Sequence, residues 1–266
     1  MIEELDSYAL SDFLLFSQET YFRLFELYNR DLWPIHLVAL ALGLALLWLM
    51  RRPDERSGRA AAAILVVLWA WVGWAFHLER YATINLAAPY FAALFGIEAM
   101  LLTWSGVFRG KLRFAESGFV AAEGGSIAAR DRSTAARDRS IAARGRSTAA
   151  PDRYIAARGR SIAAQVGFVI VAFSILINPF IGMLAGREWG QVSLFGLGPD
   201  PTAMATVGVL LAVRGKSRWL PIAFALAWCF VATLTAIAMG SIEGFAPGMV
   251  VVVTLAIAIR ESIAAR

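Results

Sequence analysis

Seven stretches of this sequence run for 13 to 26 residues without an Asp, Glu, Lys or Arg: 32–50, 60–78, 81–97, 161–186, 201–213, 219–242 and 244–259. A helix that crosses the hydrocarbon of a bilayer needs roughly 20 apolar residues, within a range of about 17–25. The windows 32–50, 60–78, 161–186 and 219–242 meet that requirement alone. The third becomes a span near 83–105 once Glu98 is admitted inside it, and the seventh is slightly short. The fifth is weak, and lengthens to about Leu220 if Arg214, Lys216 and Arg218 snorkel to the interface. Composition agrees. With 59% hydrophobic residues and a mean hydropathy of +0.61, a water-soluble globule of 266 residues has no interior large enough to hide the apolar excess. One Cys cannot form an internal disulfide, so a disulfide scaffold is excluded. The expected fold is all-α, a polytopic transmembrane helix bundle of about seven spans.

The loops orient the bundle. If the first span runs from outside to inside, the inner segments carry 21 of the 25 basic residues. The outer side then holds four basic and eleven acidic residues, giving −7 outside and +13 inside. This is the positive-inside pattern, with the N-terminus outside and the C-terminus inside. It requires the weak fifth window to cross, because otherwise Arg214, Lys216, Arg218 and Arg260 would lie outside. The basic character is thereby explained by topology, without nucleic acid. Partners expected are the lipid bilayer, anionic lipid at the basic inner loops, and a small solute. The basic face is then the expected cytoplasmic face. Trp33, Trp74 and Trp189 near outer ends, with Trp48, Trp104 and Trp219 near inner ends, fit an aromatic belt.

The chain divides into an outer amphipathic segment 1–31, spans one to three in 32–114, a cytoplasmic loop 115–165, spans four to seven in 166–260, and a tail 261–266. Asp12, Glu19, Arg23, Glu26 and Arg30 share one face of a helix over 12–30, with Leu14, Phe22, Phe25 and Tyr28 elsewhere on it. Such a helix lies in the interface, or forms a lid over the outer mouth. Residues 126–165 repeat every seven: SIAARDR, STAARDR, SIAARGR, STAAPDR, YIAARGR, SIAAQ. A coiled coil needs two large apolar seam positions per heptad, and here only one Ile- or Thr-sized position recurs, with Gly145, Pro151 and Gly159 interrupting. This segment reads as an inserted cytoplasmic loop, disordered or transiently helical, whose nine Arg meet the anionic inner leaflet.

Polar residues at membrane depth are functional candidates. Glu98, within the third span, is either a proton or cation relay or a neutral acid bonded to another helix. Asn178-Pro179 interrupts the fourth span, because Pro179 cannot donate to Ile175 and should kink the helix. Broken helices of this kind line transporter sites, and they also occur as packing kinks. His36 and His77 fall near outer ends with Asp200 on the same side. A solvated interfacial role outweighs metal binding for both histidines, since no tight ligand spacing is present. In Phe195-Gly196-Leu197-Gly198-Pro199-Asp200-Pro201-Thr202, Asp200 is the expected helix N-cap and Pro201 the first helical residue. Asn85, His77, Asp200 and Thr202 are the expected outer members of a solute path, with Glu98, Asn178 and Pro179 deeper. The helix start at Asp200 suits an anion or neutral solute. No residue is assigned a catalytic role, and no cofactor is implied.

Tyr28-Asn29 with Trp33-Pro34, Trp69-Ala70-Trp71-Val72-Gly73 leading to His77, Ile84-Asn85 with Ala87-Ala88, and Phe195-Gly196 with Pro199, Pro201-Thr202 and Gly208 resemble an uncharacterised family of bacterial multi-pass membrane proteins. That family is a domain of unknown function whose members are sometimes labelled permeases. The resemblance covers most of the chain outside 115–165. The sequence departs at Leu86, where the family tends to have Pro, and at Asp200, where it tends to have Cys. The resemblance implies a membrane protein with its motifs clustered on the outer side, and implies no reaction. Three function classes stay open: a small-solute permease or channel with an outward-facing polar vestibule leads, followed by a structural or accessory membrane protein, then by a membrane-embedded enzyme with an outer-side site.

Overall fold

The computed structural model describes residue 14, residues 16–115 and residues 150–264, with side chains of the second stretch from residue 162 onward. The described residues form nine α-helices and no β-strand beyond one isolated bridge, Phe114 with Val213. The helices are α1 (Gln18–Asp31), α2 (Ile35–Leu49), α3 (Glu55–Trp71), α4 (Ala88–Leu102), α5 (Ala150–Leu176), α6 (Asn178–Leu184), α7 (Pro199–Leu211), α8 (Trp219–Ala238) and α9 (Phe245–Ile263). Each charge-free window overlaps at least one of them, and α1 lies outside all seven. Both α3 and α4 finish in a wider π-helical turn, Val72–Leu78 and Thr103–Phe108.

Four stretches are long and apolar enough to cross a membrane: Glu55–Thr83, Ala88–Phe108, Lys216–Ala238 and Ile242–Ile263. The number reaches six if two bent pairs each count as one span, α1 with α2 at 92° and the Ile162–Leu176 part of α5 with α6 at 52°. The second bend falls at Ile177, where Pro179 removes the donor that would have continued the helix. The fifth expected span, α7, does not meet the length. Its 13 residues, at about 1.5 Å each, reach roughly 20 Å against a hydrocarbon core of about 30 Å. It does not need to face lipid, because every residue from Pro201 to Leu211 is buried. α7 is the core of the bundle, packed against α5 and α8. The outward faces are apolar instead: Leu37, Val67, Met100, Phe230 and Val252 are each more than half exposed, as are Trp33, Trp48, Trp74, Trp104 and Trp189.

One end of the bundle is covered by α1, whose N-terminus is capped by Ser17 accepting from the Thr20 N–H at 3.1 Å. Its aromatic face packs on the chain itself, with ring centroids 5.7 Å apart for Tyr21–Tyr81, 5.0 Å for Phe25–Phe76 and 5.6 Å for Tyr28–Phe76. The Asn29 amide donates to the carbonyls of Gly190 (2.8 Å) and Val192 (3.0 Å), which pins the 189–198 loop beneath α1. The opposite end is tied by backbone bonds from Ala115 to Ala212 and from Arg214 to Arg113, each 2.8 Å. Arg218 lies at that end and does not snorkel. It is buried, donating to the carbonyls of Leu211 and Val213 and pairing with Glu261. Those carbonyls close a helix with no water around it, which is the stronger demand on the cation.

The structure also differs over the repeat. α5 starts at Ala150, so 150–165 is helix where a loop is expected. Pro151 falls in the first turn, where no backbone donor is required, so it starts the helix and does not break it. Residues 116–149, the larger part of the repeat, lie outside the described residues, as do Asp12 and the last two residues of the tail.

Candidate functional site

Three interruptions meet at one place below α1. The bend before α6 presents Asn178, the start of α7 presents Asp200, and the turn into α9 presents Glu243; with Ser193 and Pro247 they line a small enclosed cavity of about 10 Å³. That is space for about one water-sized particle. Gly182 makes room for the acid, since a Cβ there would stand 2.7 Å from Glu243 Oε1. The buried Arg187 side chain pairs with Glu243 (Nε to Oε1, 3.1 Å) and donates to Ser241 Oγ at 3.0 Å, with its guanidinium over the Phe22 ring. Asp200 accepts from Trp228 Nε1 at 2.9 Å. Ser193 Oγ is buried with no hydrogen-bond partner among the described residues.

Two carboxyl groups face one guanidinium, in surroundings where an unbalanced charge is costly. Tyr21 of α1 lies near this cluster. Burial lifts its phenol well above the ordinary range, and Asp200, Tyr81 and Glu243 push it the same way while Arg187 opposes them. The hydroxyl therefore keeps its proton.

The expected site residues separate into several environments. Asn178 and Asp200 share the cavity just described. Asp200 does not cap α7: Gly198 is the N-cap and Pro199 the first helical residue, because Pro199 already suits the first turn and the Asp200 carboxylate is engaged by Trp228. Pro179 turns the other way, onto a groove with His36, whose Nε2 lies 3.4 Å from Asn29 Oδ1. His77 is fully buried in a box of rings, with centroids 4.6 Å from Phe95, 4.8 Å from Trp228 and 5.3 Å from Phe76. Neither of its ring nitrogens has a partner among the described residues. Thr202 is fully buried, accepting from the Gly196 N–H (2.9 Å) and donating to the Gly198 carbonyl (2.7 Å). Asn85 closes its own turn by accepting from the Ala87 N–H at 2.9 Å.

Glu98 is fully buried on α4, and neither carboxylate oxygen has a partner among the described residues. It does not line the cavity of Asn178 and Asp200. Among the described residues no three His, Cys, Asp or Glu side chains could hold a metal. A chain of contacts nevertheless links the motifs: Tyr28 to Phe76, Phe76 to His77, His77 to Trp228, and Trp228 to Asp200.

The family of unknown function DUF6064 matches over residues 18–122 and 149–266. The chain belongs to that family. No curated protein and no solved structure matches it. The two matched stretches of this DUF6064 chain are separated by 123–148, most of which belongs to the repeat. Deleting 123–148 is expected to leave the thermal midpoint of the purified protein unchanged within about 2 °C, since loop closure shifts by only about 0.6 kcal/mol per doubling of length. Deleting 126–165 removes the first part of α5 as well and should lower the midpoint. Equal losses from both deletions would sink the distinction.

Sequence reasoning missed Arg187, Ser193, Trp228, Glu243 and Tyr21. A signal existed for two of them: Arg187 and Glu243 end charge-free windows on the expected outer side. Charges at window ends read as solvated, and the fold encloses Arg187 against Phe22 of α1 while leaving Glu243 partly exposed.

Proposed function

We propose that this DUF6064 protein is a small-solute permease of the bacterial cytoplasmic membrane, with α1 outside and the C-terminus inside, and that its solute is a small monovalent cation, the proton included. The observation that carries the reading is the convergence of two carboxylates, Asp200 and Glu243, with Asn178 on one enclosed cavity at helix interruptions. Interrupted helices at depth supply the polar backbone and side chains that replace a solute's water. One carboxylate in excess over Arg187 favours a cation over the anion that a bare helix N-terminus would attract. The size of the cavity suits an ion stripped of its shell.

The full-length protein reconstituted in liposomes, with a pH dye or a cation dye inside, tests this. Wild type should carry protons or a monovalent cation above empty liposomes, and Asp200→Asn or Glu243→Gln should cut the rate on the order of tenfold, about 1.4 kcal/mol of barrier. Flux unchanged in both variants would overturn the assignment. An accessory protein is the second reading, favoured by the separate enclosures of His77, Thr202 and Glu98, which share no cavity with Asp200. Wild-type liposomes that pass no monovalent cation would support it.

A further inference from the structure

Two arginines stand on outward-facing tryptophans at the end of the bundle opposite α1. Arg52 follows α2 by a further turn, its N–H bonded to the Leu49 carbonyl at 2.9 Å, and its guanidinium lies 3.8 Å from the centre of the Trp48 ring. Arg109 closes the π-helical turn after α4, its N–H bonded at 3.1 Å to the carbonyl of Trp104, five residues back. That spacing sets the two side chains on one face, with the guanidinium 4.7 Å from the ring centre. The indoles are 53% and 56% exposed, so both pairs sit on the outer circumference of the bundle and not in a crevice. A stacked guanidinium spends its face on the ring and keeps its edge of N–H donors for another partner. At this end Arg59, Arg113 and Arg218 give their donors to the chain. Neither Arg52 nor Arg109 gives a side-chain hydrogen bond to the chain among the described residues.

The partner left to them is an anion from outside the chain. The acids of this end among the described residues are already engaged: Asp54 caps α3 through Ser57, Glu55 holds Arg59 and Arg113, and Glu261 holds Arg218. Arg51, Lys111, Arg214 and Lys216 are exposed at the same end and form no ion pair among the described residues. The end is therefore strongly cationic. At the α1 end Trp33, Trp74 and Trp189 are exposed to the same degree, and none carries an arginine among the described residues; the arginine stacked there, Arg187, lies on the buried Phe22. The pairing follows the charge of the end and not the mere presence of an exposed indole.

We infer that the Arg52–Trp48 and Arg109–Trp104 pairs are two sites for anionic phospholipid, one lipid at each. Exposed indoles belong at head-group depth, which brings the guanidinium edge level with the phosphates. The forked donors of a guanidinium match a phosphate, and the surrounding cations select a head of net negative charge over a zwitterionic one. The sites belong to the folded bundle and not to the repeat. The inference rests on membrane residence and not on the cation site, and a binding experiment in detergent reads it without transport.

The purified full chain, delipidated in detergent, is titrated with short-chain phosphatidylglycerol and, separately, with phosphatidylcholine while its thermal midpoint is followed. Phosphatidylglycerol should raise the midpoint by roughly 5–10 °C at a hundredfold excess over Kd, and phosphatidylcholine at the same concentration by less than half as much. Arg52→Gln with Arg109→Gln should remove most of the rise, and both residues are exposed, so the fold tolerates the change. Trp48→Leu with Trp104→Leu keeps every charge and should also shrink the rise, because each guanidinium loses the ring that orients it. Arg214→Gln with Lys216→Gln removes the same charge from the same end, at residues that stack on no tryptophan among the described residues, and should leave most of the rise. Deleting 123–148, which removes six arginines, should leave all of it. Equal rises with the two lipids, or a rise with inorganic phosphate alone equal to that with phosphatidylglycerol, would overturn the proposal. So would a rise that survives Arg52→Gln with Arg109→Gln, or a loss as large in the Arg214 and Lys216 variant or in the deletion.

Discussion

Alanine at Gly167 or at Gly208 is expected to cost the fold about 2 kcal/mol, the net of overpacking of up to ~3 kcal/mol and a helix-propensity gain of ~1 kcal/mol. The two glycines face each other where α5 crosses α7. A Cβ on Gly167 would stand 2.3 Å from the Gly208 carbonyl oxygen, and a Cβ on Gly208 would stand 2.6 Å from the Gly167 carbonyl oxygen. Both obstacles are backbone, so no rotamer change relieves them. Relief requires the helices to part by on the order of 1 Å, a gap that forfeits a quarter to a half of each dispersion contact along the seam. α7 cannot retreat, because α8 packs against it as well. For a chain of this size the loss lowers the thermal midpoint by roughly 4–8 °C in detergent. The double variant should lose less than the sum, because the separation that admits one methyl group admits most of the second. Midpoints within a degree of wild type for both single variants would refute the crossing.

That crossing was not legible beforehand, for a physical reason. Small residues four apart on one helix, Ala39/Gly43 and Ala92/Gly96, are the visible sequence signal for close packing. Gly43 is tight, its hypothetical Cβ 3.0 Å from Ile175 Cδ1, while Gly96 has nothing within 4 Å. The α5–α7 crossing instead uses one glycine from each of two helices, a pairing that only the tertiary fold creates. Charge gaps behaved differently. They located every helix of the bundle except the charged α1, since a desolvated charge is costly wherever the chain goes. They could not distinguish a helix that leaves an apolar face outward from one enclosed by the chain, and so gave no sign that α7 is buried along its length.

The same limit governed the candidate site. Glu98 was legible as a buried acid, and it is fully buried. Pro179 was legible as a bend, because the missing donor is a local fact. Asp200 was legible as important and assigned a wrong local role, because capping is read from neighbours in sequence while its real partner, Trp228, stands 28 positions away. Arg187 and Glu243 sit at the ends of apolar stretches, where the sequence can show a charge but not the helix folded over it.

Arg218 carries the second large expectation. Arg218→Ala should destabilise the protein by about 3 kcal/mol, the lower end of what breaking a buried pair costs, since Glu261 is partly solvated. The carboxylate is 28% exposed and the guanidinium side chain 5% exposed, so water recovers some of the loss on one side only. The larger share comes from α7. Its final carbonyls have no helical partner, and Arg218 Nη1 supplies one to Leu211 at 2.8 Å and to Val213 at 2.6 Å. Each left bare in a buried setting costs about 1–3 kcal/mol. A cation there also opposes the partial negative charge of the helix end. Glu261→Gln keeps the carbonyl bonds and should therefore cost only about 1 kcal/mol, while Arg218→Lys should fall between, because one ammonium cannot span both carbonyls and the carboxylate. At roughly 2–4 °C per kcal/mol the three variants are resolvable by thermal melts in detergent. A loss at Glu261→Gln as large as at Arg218→Ala would assign the energy to the ion pair and remove the capping role. A midpoint unchanged in Arg218→Ala would remove both.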